Sequence, residues 1–146
     1  MPTNLRQARE EYAERASPGG AVEFATTIET AVREADLVVD FVPDELESKL
    51  EIFCLLDRMA PPKTIVLTPS NALSITDLAS CTYRGDRCFA VRGVFPDIAG
   101  GDVSLLHAPE FNAAALAATA AFLRALGGRV LIELDQDAPM LVKNQR

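Results

Sequence analysis

Three apolar runs set at helical distances constrain this chain more than anything else in it. They are "ADLVVDFV" over residues 35–42, "TIVLT" over 64–68 and "CFAVRGVF" over 88–95. Each is close to continuous in its apolar residues rather than alternating, so each reads as a strand buried on both faces, as in a parallel sheet covered by helices. Between the first two runs, Leu46, Leu50, Phe53 and Leu56 recur at helical spacing, which predicts a helix over 45–59. Asp44 can cap its start, and Pro61-Pro62 stops it.

Further along, Ser74 and Asp77 suit a capping box in which Asp stands for the usual Glu, opening a helical turn over 74–80. "VSLLHA" over 103–108 and "RVLIEL" over 129–134 read as strands. The Ala-rich stretch 112–126 between them reads as a helix closed by Gly127-Gly128. On the amino side, 4–15 reads as a polar helix ended by Ser17-Pro18-Gly19-Gly20, followed by a short strand "VEFAT" over 22–26 and a helical connection over 27–35. Strands alternating with helices predict an α/β fold with a mostly parallel sheet and helices on both faces. One domain over 1–146 is expected, with 1–20 as polar helix and turn and 138–146 as a tail. Ligands of such sheets bind beyond the carboxyl ends of the strands, and "TPSN" (Thr68, Pro69, Ser70, Asn71) stands at one of those ends.

Composition narrows the partners. A formal charge of −7 argues against nucleic acid, which needs clustered Lys and Arg. A small anion held by backbone amides stays open. No window approaches the roughly 18 apolar residues of a membrane span, and the polar first twenty residues do not read as a signal peptide, so a cytoplasmic protein is expected. Cys54, Cys81 and Cys88 form no CxxC pair and are expected to be reduced and mostly buried. With His107 as the single histidine, no metal site is expected.

The run "ADLVVDFVPDELESKLEIFCLLDRMAPPKTIVLTPSNALSITDLA", together with "DRCFAVRGVFP", "HAPEF" and "FLRALGGRVLIELDQDAPMLVKN", resembles the NAD-binding domain of 3-hydroxyacyl-CoA dehydrogenases from about Val22 to Asn144. The resemblance implies a Rossmann-like sheet, NAD as cofactor, and an acyl-CoA ligand. That family opens with a strand, a Gly-x-Gly-x-x-Gly loop and a second strand, a segment this sequence does not show, so a partial Rossmann-like sheet is expected, its N-terminal strands missing. "SPGGA" has the wrong spacing for that loop, which puts NAD binding in question.

Carried over by resemblance, the family's catalytic His falls on Arg92, and the Glu that orients it on Ser104. The assisting Ser falls on Asn71, the Asn of the family's His-Phe-Phe-Asn-Pro on Phe95, and a late Asn is kept as Asn144. A guanidinium cannot accept a proton at working pH, and Ser104 carries no charge. A dehydrogenase inactive on its own is therefore expected. His107 is expected at the surface or rim, on the face opposite Ser104. Val42, Asp44, Lys49, Asn71 and Phe95 are the candidate cofactor contacts. Asp44 is equally a helix cap, Lys49 an ordinary solvated helix residue, and Asn71 a side chain turned back to the Pro69 loop. Arg92 is either an anion clamp for an acyl or carboxylate ligand, or a structural partner of Asp97 or Asp102. Finally, the strand 35–42 forms an apolar edge. Either "VEFAT" moves in beside it, or a second subunit or partner chain covers it.

Overall fold

The three apolar runs become one edge strand and its two inner neighbours in a five-stranded sheet in the computed structural model, which describes residues 6, 7, 10 and 20–135. The strands are β1 (Leu37–Val39), β2 (Ile65–Pro69), β3 (Cys88–Arg92), β4 (Asp102–His107) and β5 (Arg129–Leu134), in that spatial order. β1, β2 and β3 are parallel, β4 runs antiparallel to β3, and β5 is parallel to β4. The helices are α1 (Ile28–Val32), α2 (Leu46–Met59), α3 (Ile75–Ser80) and α4 (Ala113–Ala125), with a 3-10 turn at Gly85–Arg87 before β3.

Strand alternation divides the core in two. Val66, Ala90 and Leu106 face α1, α2 and α3, where Val32, Phe53, Leu56, Ile75 and Leu78 complete one cluster. Ile65, Leu67, Phe89, Val91, Val103 and Leu105 face α4, which contributes Ala115, Leu116, Ala120 and Leu123. The helices start as their sequence signals require: the side chains of Thr27, Ser74 and Asn112 accept from the backbone N–H of Thr30, Asp77 and Ala115. Gly127 closes α4 at φ 93, and a Cβ there would lie 3.0 Å from Ala99 Cα, so both backbone and space require glycine.

Several expectations change. Residues 22–26 are not a strand: they are irregular and largely exposed, with Val22 49% accessible. An extended segment needs a neighbouring ladder to hold it, and no described strand lies beside it, so "VEFAT" does not cover β1. β1 is itself shorter than the run 35–42 and has a partner on one side only among the described residues. The helix expected over 4–15 is described only at Arg6, Gln7 and Glu10, which are helical; the tail 138–146 and Asn144 lie outside the described residues. Cys54 is exposed and Cys81 partly so, leaving only Cys88 buried.

A buried arginine that the apolar pattern did not flag closes the amino end of the sheet. Arg84 donates from Nε to Asp57 Oδ1 at 3.0 Å, and from its two terminal nitrogens to the carbonyls of Asp57, Ala60, Pro61 and Thr64. These are the carbonyls that the end of α2 and the turn into β2 leave without helical partners. Replacing Arg84 by Ala strands a buried carboxylate and those carbonyls together, so Arg84→Ala is expected to lower unfolding free energy by about 3 kcal/mol, read as a fall in the urea midpoint.

Burial pushes the Cys88 thiol up to about 12 from 9.0, and burial together with the neighbouring Cys54 thiol raises Cys81 similarly. Below pH 9 both the folded and the unfolded chain keep these protons; above it only the unfolded chain releases them. Stability is therefore expected to fall as pH rises from 9 towards 12, and the fall should be shallower in Cys88→Ala than in the parent when denaturation is followed across that range.

Candidate functional site

The carboxyl ends of β1, β2 and β3 lie side by side, and the loops that leave them are tied together by hydrogen bonds. Pro69 ends β2 in register with Val91. Its missing N–H falls on the side where β1 has already ended, so the ladder loses nothing there. Ser70 keeps a backbone bond to Val91 and sends its hydroxyl to Asp44 Oδ1 at 2.6 Å. The same hydroxyl oxygen accepts from Leu73 N at 3.0 Å, a hydroxyl-centred turn that reverses the chain toward α3.

Asn71 donates its backbone N–H to Asp44 Oδ2 at 3.0 Å, and its side-chain oxygen accepts from Gly93 N at 3.0 Å. Asp44, Ser70, Asn71 and Gly93 thus form one continuous chain of hydrogen bonds across three strand ends. Gly93 has φ 131, and a Cβ would meet Val103 Cγ1 at 3.0 Å, so the turn after β3 admits glycine alone without strain.

Asp44 is not the cap of α2. Glu45 occupies that position and makes no side-chain cap bond, while the Asp44 carboxylate turns outward to the β2 loop. Lys49 is not a solvated helix residue. It is 1% exposed, and its Nζ lies 2.7 Å from Oδ1 of the equally buried Asp40. The ammonium thereby neutralises an acid at the end of β1, beneath the rim. The Asn71 side chain reaches the β3 loop rather than returning to Pro69. Phe95 packs against the α4-side core, and its ring stacks on Phe41 with centroids 5.7 Å apart. Phe41 is 64% exposed, so an aromatic surface opens beside the Asp44 network. Val42 lines a shallow hollow of about 250 Å³ with Pro43 and residues of α2.

Arg92 and Ser104 are brought together: they are direct partners in the antiparallel β3–β4 ladder. With Asp102 and Arg129 they line an open groove of about 490 Å³. Arg92 does not pair with Asp102, which holds Arg129 instead; one guanidinium nitrogen of Arg92 donates to the Leu73 carbonyl at 3.2 Å. His107 pairs with Phe89 at the opposite end of the sheet, its Nδ1 2.8 Å from the Ala108 carbonyl and its ring against Phe111. Because β4 runs backwards, three residues of strand separate His107 from Ser104 in the direction away from the rim, so the histidine cannot serve there.

Asp40 and Phe41 were not singled out by sequence, and Ser70 was marked only as part of the "TPSN" strand end. The Ser-Asn pair after a strand is a turn signal that fits the Ser70-centred turn, while the Asp40–Lys49 pair has no local signature. Among the described residues no cluster of His, Cys, Asp or Glu suits a metal, and no helix is long and apolar enough to cross a membrane.

The family profile described as "3-hydroxyacyl-CoA dehydrogenase, NAD binding domain" matches residues 3–138. The chain belongs to this family. A probable 3-hydroxybutyryl-CoA dehydrogenase of Bacillus subtilis is 32% identical over 75 residues, covering 51% of this chain and 26% of the relative. An L-carnitine dehydrogenase of Burkholderia mallei is 32% identical over 125 residues, covering 79% of this chain and 37% of the relative. The crystal structure of a 3-hydroxyacyl-CoA dehydrogenase from Archaeoglobus fulgidus shares the fold with a TM-score of 0.77 at 23% identity, covering 99% of this chain and 49% of that one. This dehydrogenase-type NAD-binding domain thus spans at most about half the length of these relatives.

Asp44 and Asn71 offer acceptors and donors suited to ribose hydroxyls or a carboxamide, and Phe41 with Phe95 offers a flat apolar wall. The start of α2 does not suit a diphosphate, since Asp44, Glu45 and Glu47 gather negative charge where a phosphate would need amides.

The ion pair under the rim gives a sharp test. Lys49→Met alone leaves Asp40 buried and unpaired, an expected loss of about 3–5 kcal/mol in denaturant unfolding. The double variant Asp40→Leu/Lys49→Met is expected to recover most of that loss, since neither charge is left stranded.

Proposed function

We propose that this NAD-binding-type domain holds a nicotinamide dinucleotide or acyl-CoA ligand at the rim formed by Asp44, Asn71 and the Phe41–Phe95 stack, and that it does not carry out hydride transfer alone. The observation that carries this reading is the Arg92–Ser104 pair. In the family these positions hold a general-base His and the Glu that orients it. The ladder pairs Arg92 with Ser104 directly, which supports reading them as the family's catalytic pair of positions without its acid–base chemistry. Arg92 stays protonated and so cannot take the proton of a substrate hydroxyl, and Ser104 brings no charge to raise the basicity of a neighbour. With Ser104 and the open groove beside it, Arg92 instead suits a carboxylate or phosphate, which supports a binding rather than an oxidising role.

A second reading, a module that partners another chain, is favoured by β1, whose outer edge has no neighbour among the described residues. Amides of Val38 to Phe41 that exchange fast in a sedimenting monomer would remove that reading.

Titration with NADH and with acetoacetyl-CoA, followed by nicotinamide fluorescence and by absorbance at the nicotinamide band, tests the main reading. Binding without turnover is expected, and Asp44→Ala should weaken NADH binding about tenfold, since it removes the carboxylate that positions both Ser70 and Asn71. Turnover at rates typical of dehydrogenases would overturn the proposal.

A further inference from the structure

The far edge of the sheet carries an unusual strand. β5 is accessible along nearly its whole length: Leu131 is 59% exposed, Ile132 41% and Leu134 42%, and Arg129 and Glu133 are exposed too. Edge strands are ordinarily protected by shortness, proline, bulges or inward charges. β5 is six residues long, pairs with β4 without a bulge, and contains no proline. β1 at the other edge has three residues, all half-buried, so β5 offers the longer template.

Among the described residues β5 has no neighbour on its outer side, and the backbone polarity of that edge follows from the bonds β5 already makes. The N–H groups of Arg129 and Asp135 both point to β4, bonding Gly101 and His107. Alternation then turns the N–H and C=O groups of Val130, Ile132 and Leu134 away from the sheet. A strand arriving antiparallel must place its own outward residues opposite these.

We propose that β5 pairs antiparallel with β5 of a second copy of this chain, about a two-fold axis through Leu131, joining the two sheets into one. This register sets Val130 against Ile132 of the second copy as hydrogen-bonded pairs, in both senses. It sets Leu131 against its own image, and Arg129 against Glu133, as the closer non-hydrogen-bonded pairs. The strand is self-complementary in charge about Leu131. The neighbouring allowed register, centred on Ile132, opposes Leu131 to Glu133. It also opposes Arg129 to Asp135, whose carboxylate already accepts from Ser74 Oγ, Thr76 N and Thr76 Oγ1. The Leu131-centred register keeps Leu131 away from Glu133 and leaves Asp135 to its own donors, although its Arg129 also holds Asp102 of the same chain through Nε. The odd-numbered residues lie on the groove side beside Asp102 and Ser104, where none of the described helices covers them, so the side chains at the axis meet without displacing described packed structure. The pairing does not depend on ligand binding at the rim.

Sedimentation equilibrium of the full chain between about 1 and 100 µM tests the proposal, within the range where weak pairwise association is visible. A monomer–dimer equilibrium is expected. Leu131→Lys faces two ammonium groups across the axis and should weaken association at least about tenfold, while its exposed position leaves the fold intact by circular dichroism. Glu133→Arg should weaken it similarly by opposing two guanidinium groups, and Arg129→Glu/Glu133→Arg should restore it. A monomer throughout the range would overturn the proposal. So would a dimer indifferent to Leu131→Lys, or a double variant no tighter than the single. Hydrogen exchange adds one more decision: protection of the Val130 and Ile132 amides that does not change with concentration means another part of the same chain occupies the edge, which also overturns it.

Discussion

One guanidinium fixes the geometry from which the rest of the fold hangs. Arg84 stands between α3 and β3, and its five hydrogen bonds reach back to the end of α2 and the turn into β2. Each parallel connection in the sheet must bring the chain from a carboxyl end back to an amino end. Arg84 holds the returning ends of two such connections against each other, so β2 and β3 begin side by side. The arrangement uses the planar fork of arginine, which a lysine does not possess. It also fills the terminal carbonyls of α2 and the turn beyond it in a largely buried place, where leaving them unmet would be expensive.

The opposite end of the sheet is organised by a carboxylate in the complementary role. Asp44 collects donors from the loop after β2, as Arg84 offers donors to the loop before it. One end of the sheet is therefore closed on itself, and the other is held in shape while still facing outward. The pair Asp40–Lys49 places opposite charges together below the rim, while Asp44 and Arg92 carry charge among the described residues that join the strand ends.

Much of this was legible in the sequence, for a physical reason. Continuous apolar runs such as "TIVLT" have few alternatives to a doubly covered strand, and Ser74, Asn112 and Gly127 mark helix ends through local hydrogen bonding and backbone freedom. β2, α3, α4 and β5 accordingly lie where their patterns place them. What was not legible depends on partners far away in the chain. Lys49 looks solvated in its own helix, and only the packing of α2 back over the end of β1 brings it to Asp40, nine residues earlier; other partners lie much further off. Asp44 looks like a cap until the β2 loop, 26 residues on, offers it a better set of donors. "VEFAT" has strand-forming residues, but a strand exists only beside another one. The adjacency of Arg92 and Ser104 was implied by resemblance, whereas the antiparallel direction of β4 that creates it was not anticipated.

Asp135, where β5 ends, gives this architecture a less obvious property. Its carboxylate receives Ser74 and Thr76 at the head of α3, while Asp44 receives Ser70 and Asn71 a few residues earlier. The segment between β2 and α3 is thus suspended from two anchors that lie 91 positions apart in the chain. Its shape is not a local property of its own residues. A lesion in β5 would be felt as a misplaced Asn71, and a variant catalogue read by proximity in sequence would assign that defect to the wrong part of the molecule.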